Sequence, residues 1–131
     1  MKKHGILNSD ISAILSKLGH TDQIAIADCG LPIPDHVPKI DLALKLGQPS
    51  FVDVLHEVLE DMEVEKMIWA EEIKGKNTKL HNQMENKHQQ IPFDYVSHEE
   101  LKEACKNVKA VIRTGECTPY ANAILQSGVI F

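Results

Sequence analysis

Short apolar runs alternate with segments that can cap and close a helix along the whole of this chain, and that alternation admits few architectures. Ile24–Ala27, Ile40–Leu44, Lys66–Ala70, Phe93–Val96, Lys109–Arg113 and Ala123–Gln126 each have the length and composition of a strand. Between them, Asn8 or Ser9 can cap a helix whose apolar face is Ile11, Ile14, Leu15 and Leu18, with Gly19 at its end. Ser50 and Asp53 open a second helix with Phe51, Leu55, Val58 and Met62 on one face. Residues 76–90 are helical in pattern but polar, with Leu80 and Met84 as anchors, which predicts a marginal or peripheral helix. Ser97 and Glu100 form a capping box for a helix from His98 to about Lys106. Strands alternating with helices imply an α/β layered fold around a mostly parallel sheet of about six strands.

With 131 residues there is room for one core and hardly for two, so the expectation is a single domain over residues 1–131. A net charge of -5 argues against a phosphate-backbone binder, and 5% aromatic residues leave little for stacking on single strands. No nucleic-acid partner is therefore expected. The apolar runs are too short to span a bilayer, and Met1-Lys2-Lys3-His4-Gly5 leads into no apolar signal core, so no membrane partner is expected. Cys29, Cys105 and Cys117 are odd in number with no C-x-x-C spacing, which fits a reducing cytoplasm better than a disulfide framework.

Two polar constellations stand at the mouths of strands that read as buried. The first is Gly19-His20 before, and Asp28-Cys29-Gly30-Leu31-Pro32 after, the run Ile24–Ala27. The second is Arg113-Thr114-Gly115-Glu116 followed by Thr118-Pro119-Tyr120-Ala121-Asn122. Such places form ligand crevices in α/β proteins. His20 follows a helix C-terminus, whose partial negative charge attracts a cationic ring, so it is the leading catalytic candidate; read alone, it is also a solvated residue closing a helix. Asp28 can accept two hydroxyls, orient a histidine, or merely bond its own turn. His98, in the first turn of a capped helix, can donate and accept hydrogen bonds, or simply face solvent. Tyr120 and Asn122 share a face if extended, a phenol and an amide suited to a hydroxyl-rich ligand, or else ordinary turn chemistry.

Other candidates carry less. His56-Glu57-Val58-Leu59-Glu60 has Glu60 where a zinc protease motif needs its second histidine, so no metal ligand is assigned. His81 and His88 lie in the polar segment and read as solvated. Cys29 reads as a buried small hydrophobe rather than a nucleophile. No glycine-rich phosphate cradle follows any strand, so no cofactor is expected.

In order along the chain, the residues Lys3–Ser9, Leu18–Asp22, Asp28–Pro34, Ser97–Glu100, Val111–Glu116 and Thr118–Asn122 resemble the D-ribose pyranase family, with fucose mutarotases its nearest relatives. The likeness spans nearly the whole chain and is weakest across residues 72–92. It implies a three-layer α/β/α fold, a cofactor-independent isomerase acting on free D-ribose, and a ring-shaped homo-oligomer, a decamer of two pentamers, with sites between adjacent protomers. It implies His20 as proton donor and Asp28, His98, Tyr120, Ala121 and Asn122 as sugar contacts, Ala121 through its backbone alone. Three rivals rank below this reading: mutarotation of fucose or another aldose, a non-catalytic sugar-binding protein using the same pocket, and a cysteine hydrolase using Cys29.

Overall fold

The computed structural model describes residues 1–131. Its strands are β1 (Gln23–Ala27), β2 (Lys39–Asp41), β3 (Val64–Ala70), β4 (Phe93–Val96), β5 (Val111–Arg113) and β6 (Ala123–Ser127). Its helices are α1 (Ser9–Lys17), α2 (Phe51–Asp61), α3 (Ile73–Lys76), α4 (Thr78–Lys87) and α5 (His98–Ala104). The strands form one sheet in the order β2-β5-β1-β6-β3-β4. Neighbours pair in parallel except at β6, which lies antiparallel between β1 and β3. Five strands therefore run one way and β6 runs against them, a mostly parallel sheet as expected.

Alternation along the strands builds a core on each face. Ile24 and Ile26 of β1 join Met67 and Trp69 of β3, Ile112 of β5 and Leu125 of β6 on one side. Ala25, Ala27, Val111 and Ile124 point the other way. The first face is covered by α1, α2, α3 and α4, through Ile11, Phe51, Leu55, Ile73 and Met84 among others. Trp69 is fully buried there with its ring edge-on to Phe51, the centroids 5.7 Å apart. The second face is covered by Leu101 and Cys105 around α5 and by Leu31 and Val37 of the proline-rich loop. Helices lie on both faces of one sheet, the α/β/α layering.

Caps form where the sequence places them. Asn8 Oδ1 accepts the Ile11 N–H at 3.0 Å, Ser50 Oγ that of Asp53 at 3.1 Å and Ser97 Oγ that of Glu100 at 3.1 Å. Three expectations change. β2 ends at Asp41 rather than Leu44, because the Asp41 carboxylate turns back to accept the Ala43 N–H at 3.0 Å and the chain leaves the sheet. The segment 76–90 is α4 with the short α3 before it, and it packs firmly: Leu80, His81 and Met84 are all buried. His81 and His88 are consequently buried rather than solvated. His81 Nε2 lies 2.7 Å from the Tyr95 hydroxyl, and burial lowers the His88 pKa, helped by Lys87 and His56.

Candidate functional site

The carboxyl ends of β1, β3, β4 and β5 and the beginning of β6 lie along one edge of the sheet, because β6 runs backwards. That edge gathers Asp28, Glu72, His98, Arg113 and Tyr120–Asn122 from five separate stretches of sequence. Asp28, Gly30, Leu31, Pro32, His98, Pro119 and Tyr120 line a depression of about 340 Å³. It is the crevice expected outside the carboxyl ends of the strands of an open sheet.

Asp28 is held there on every side. Its N–H donates to Asn122 Oδ1 at 2.8 Å, Asn122 Nδ2 donates to its Oδ2 at 3.0 Å, and the Gly30 N–H donates to its Oδ1 at 2.9 Å. Asn122 is 1% exposed, so its side chain is the buried bracket behind Asp28. The Arg113 guanidinium clamps the same loop: Nε and Nη2 donate to the Cys29 carbonyl at 3.2 and 3.1 Å, while Nη1 lies 3.1 Å from both Asp41 oxygens. The Ala43 N–H, together with this guanidinium, holds the Asp41 carboxyl below its ordinary range. Thr114, fully buried, donates from Oγ1 to the Ala27 carbonyl at 2.8 Å, fixing the strand end from which Asp28 projects.

His98 and Tyr120 form the opposite wall, their rings edge-to-face with centroids 5.0 Å apart. His98 Nδ1 is buried without a protein partner. The His98 N–H donates to the Glu72 carboxylate at 3.0 and 3.2 Å. Glu72's own N–H and that of His98 hold its carboxyl below the ordinary range. Tyr120 has φ +56°, a left-handed conformation that a bulky residue adopts only when its surroundings enforce it. Here Asn77 Nδ2 donates to Thr118 Oγ1 at 3.0 Å and to the Pro119 carbonyl at 2.8 Å, immediately before the turn. Tyr120 and Asn122 therefore do not share an extended face: Tyr120 lines the depression and Asn122 stands behind Asp28. Ala121 between them is fully buried.

His20 lies at the other edge of the sheet. It precedes β1 while Asp28 follows it, and five strand residues cover about 16 Å. Its side chain is 53% exposed, and Nε2 lies 3.0 Å from Glu65 Oε2 at the start of β3. Within one chain, then, the structure brings Asp28, His98, Tyr120 and Asn122 together and leaves His20 apart.

Glu65, Glu72, Asn77 and Arg113 were not singled out from the sequence, and only Arg113 sits in a motif that could have flagged it. The other three lie at strand or helix ends among many similar residues, and their partners are distant in sequence. Cys29 is half-buried rather than buried, its carbonyl held by Arg113. Cys117 is exposed; Cys105 is buried, which pushes its thiol pKa up to about 11. No group of three or more His, Cys, Asp or Glu side chains converges in a way that could hold a metal ion.

A six-stranded sheet of this order with a depression of about 340 Å³ at its carboxyl edge is the setting of a family match: the chain belongs to the RbsD / FucU transport protein family, whose model matches residues 1–130. Two proteins named D-ribose pyranase, from Bacillus cytotoxicus and Bacillus cereus (strain AH187), are 61% and 59% identical over 131 residues, covering all of both chains in each case. The structure of Bacillus subtilis RbsD complexed with D-ribose superposes with a TM-score of 0.97 at 57% identity, again over the full length of both chains. The fucose mutarotase of Streptococcus pneumoniae in complex with L-fucose gives 0.81 at 25% identity, over 99% of this chain and 100% of the other. No helix is long and apolar enough to cross a membrane.

Proposed function

We propose that this chain, as one domain over residues 1–131, is a D-ribose pyranase that interconverts the pyranose and furanose forms of free ribose without a cofactor. The observation that carries the reading is the fixed carboxylate of Asp28, facing a histidine and a phenol across a depression of about 340 Å³. The full-length likeness to proteins of that name, and to a ribose-bound structure, supports it.

Ring opening needs a proton on the ring oxygen and the loss of one from the anomeric hydroxyl. An imidazolium at His20 gives its proton to the ring oxygen as the bond from that oxygen to the anomeric carbon breaks. The anomeric hydroxyl loses its proton to a carboxylate or water, leaving the open aldehyde. Reclosure through the neighbouring hydroxyl forms the five-membered ring and returns both protons, so nothing is consumed. Asp28, His98, Tyr120 and Asn122, with the backbone of Ala121, hold the sugar. Asp28 also has the charge to take the anomeric proton. Proton transfer of this kind contributes on the order of 10² to 10⁴ in rate.

Because β1 separates His20 from Asp28, the donor comes from an adjacent copy, and every copy gives one residue and receives another. That head-to-tail relation closes into a ring. Large apolar side chains without cover in the single chain suit such an assembly: Leu44 is 81% exposed and Phe131 100%. A decamer of two pentamers is the form the family resemblance implies, and three unpaired cysteines suit a cytoplasmic protein. Magnetisation-transfer NMR on equilibrated D-ribose tests the activity. Faster pyranose–furanose exchange with wild type, abolished by His20→Asn while ribose binding persists, is the expected result. Exchange of L-fucose anomers alone identifies a mutarotase, and binding without exchange a sugar sensor.

A further inference from the structure

We infer that Glu65 is a positioning residue for His20: it holds the Nε2 edge of the ring, so that Nδ1 is the nitrogen that exchanges a proton with the sugar. The inference rests on the reading of His20 as the proton donor. Glu65 is not a loose surface partner. Gln23 Nε2 donates to Gln126 Oε1 at 2.9 Å, and Gln126 Nε2 donates to Glu65 Oε1 at 2.6 Å. One carboxylate oxygen is thus fixed to the sheet by a chain crossing β1, β6 and β3. The other oxygen is presented to His20 Nε2 at 3.0 Å. The Gln126 amide, and then His20, keep the Glu65 carboxyl below its ordinary range. A carboxylate only accepts, so the nitrogen it faces must carry hydrogen. The neutral ring is left with a bare Nδ1, and the cationic ring with an Nδ1–H. One nitrogen then both gives and recovers the proton, which ring opening and reclosure require.

The loop that bears His20 is braced to the same end. The Gly19 N–H donates to Asp22 Oδ2 at 2.9 Å, the Asp22 N–H to the Gly19 carbonyl at 3.1 Å and the Thr21 N–H to the Ser127 carbonyl at 2.9 Å. Thr21 is held at φ +70°, an enforced left-handed turn directly after the histidine. In a single copy the pair is solvated, with 53% of the His20 and 36% of the Glu65 side chain exposed, and such pairs interact weakly. A neighbouring copy that brings its depression over His20 excludes water and strengthens the contact.

The test uses the assembled protein with ring-¹⁵N histidine, His20 being assigned by the signals lost in His20→Asn. At about pH 9, well above the ordinary histidine range, the expected spectrum has hydrogen on Nε2 and none on Nδ1. Glu65→Gln is the informative variant. Gln126 keeps the new amide's oxygen, so its NH₂ group faces His20 and the ring inverts to the Nδ1–H form. The exchange rate at saturating ribose should fall at least about fivefold, with KM changed less than about twofold, and further than in Glu65→Ala, which merely frees the ring. A wild-type spectrum with hydrogen on Nδ1 overturns the inference whatever the variants do. So does Glu65→Gln turning over at the wild-type rate while His20→Asn is inactive. Wild-type turnover by His20→Asn instead sinks the reading of His20 itself.

Discussion

Pairing a copy that lacks the donor with a copy that lacks the Asp28 carboxylate tests the division of the site between two sheet edges. His20→Asn removes the donor with little structural consequence, since the ring is exposed and bonds only Glu65. Asp28→Ala removes the fixed carboxylate proposed to hold the sugar. It leaves the Asp28 backbone bond to Asn122 intact and releases the exposed Gly30 N–H to water. It also strips the buried Asn122 Nδ2 of its acceptor, so a urea melt of the variant accompanies the assay. Each parent should bring little or no exchange. Mixed at 1:1 in denaturant and refolded, they form rings in which half the copies offer a working His20 and half a working Asp28. If every site takes one from each neighbour, about one quarter of sites carry both. A site built within one chain gives none. A second mixture separates the cases further: wild type with the double variant yields about one quarter of full activity per site if sites are shared, and about one half if they are not. The readout is the pyranose–furanose exchange rate by magnetisation transfer, normalised to protomer concentration. Mixed assemblies no faster than their parents would refute the placement of His20 opposite a neighbour's Asp28.

Other expectations are more local. Asn122→Ala leaves the half-buried Asp28 N–H without its partner and should cost about 1 kcal/mol in a urea melt, alongside loss of exchange. Thiol reagents at pH 8 should modify Cys117 first and Cys29 more slowly, whereas Cys105, its pKa near 11, should react only on unfolding; mass spectrometry of timed samples checks the order. His88 has a folded pKa below its ordinary value of 6.5, so the unfolded chain takes up its proton first as pH falls. Stability should therefore drop from about pH 6.5 downward until the folded form is also protonated, and His88→Asn should flatten that part of the curve. Gly115→Ala should loosen the 44–49 loop, since a Cβ there meets the Gln48 backbone, while Gly75→Ala in α3 meets nothing; the comparison is made by thermal melting.

Much of the architecture was legible because each strand has its own local signal. Ile24–Ala27 is uniformly apolar, Phe93–Val96 is aromatic or β-branched at every position but Asp94, and Ser50 and Ser97 announce the helices that follow them. The failures share a cause. β2 stops at Asp41 because a side chain bonds the backbone two residues on, and no hydropathy pattern contains that bond. α4 read as peripheral because its composition is polar, yet its few apolar residues and His81 all fall on the side that meets the sheet. Within the site, Asp28 and His98 sit at recognisable strand mouths. Sequence alternation puts Asn122 on an extended face with Tyr120; the left-handed turn at Tyr120 breaks that alternation, and the Asn122 amide braces Asp28 from behind, a bond no sequence pattern contains.

The reversed strand explains why two motifs at opposite ends of the sequence had to be read together. β6 begins beside Asp28, delivering Tyr120–Asn122 to the carboxyl edge, and ends beside His20, delivering Gln126 to the amino edge. Were it parallel, the segment before it would open on the amino edge, and Asp28 would lose both its bracket and its facing phenol. One strand of five residues thus carries support for the depression beside Asp28 at its start and for the Glu65–His20 pair at its finish. A register slip of one residue would turn Gln126 to the opposite face and at the same time move Asn122 away from Asp28. The two half-sites are therefore coupled through the pairing of β6 with β1 and β3, although no side chain spans the distance between them.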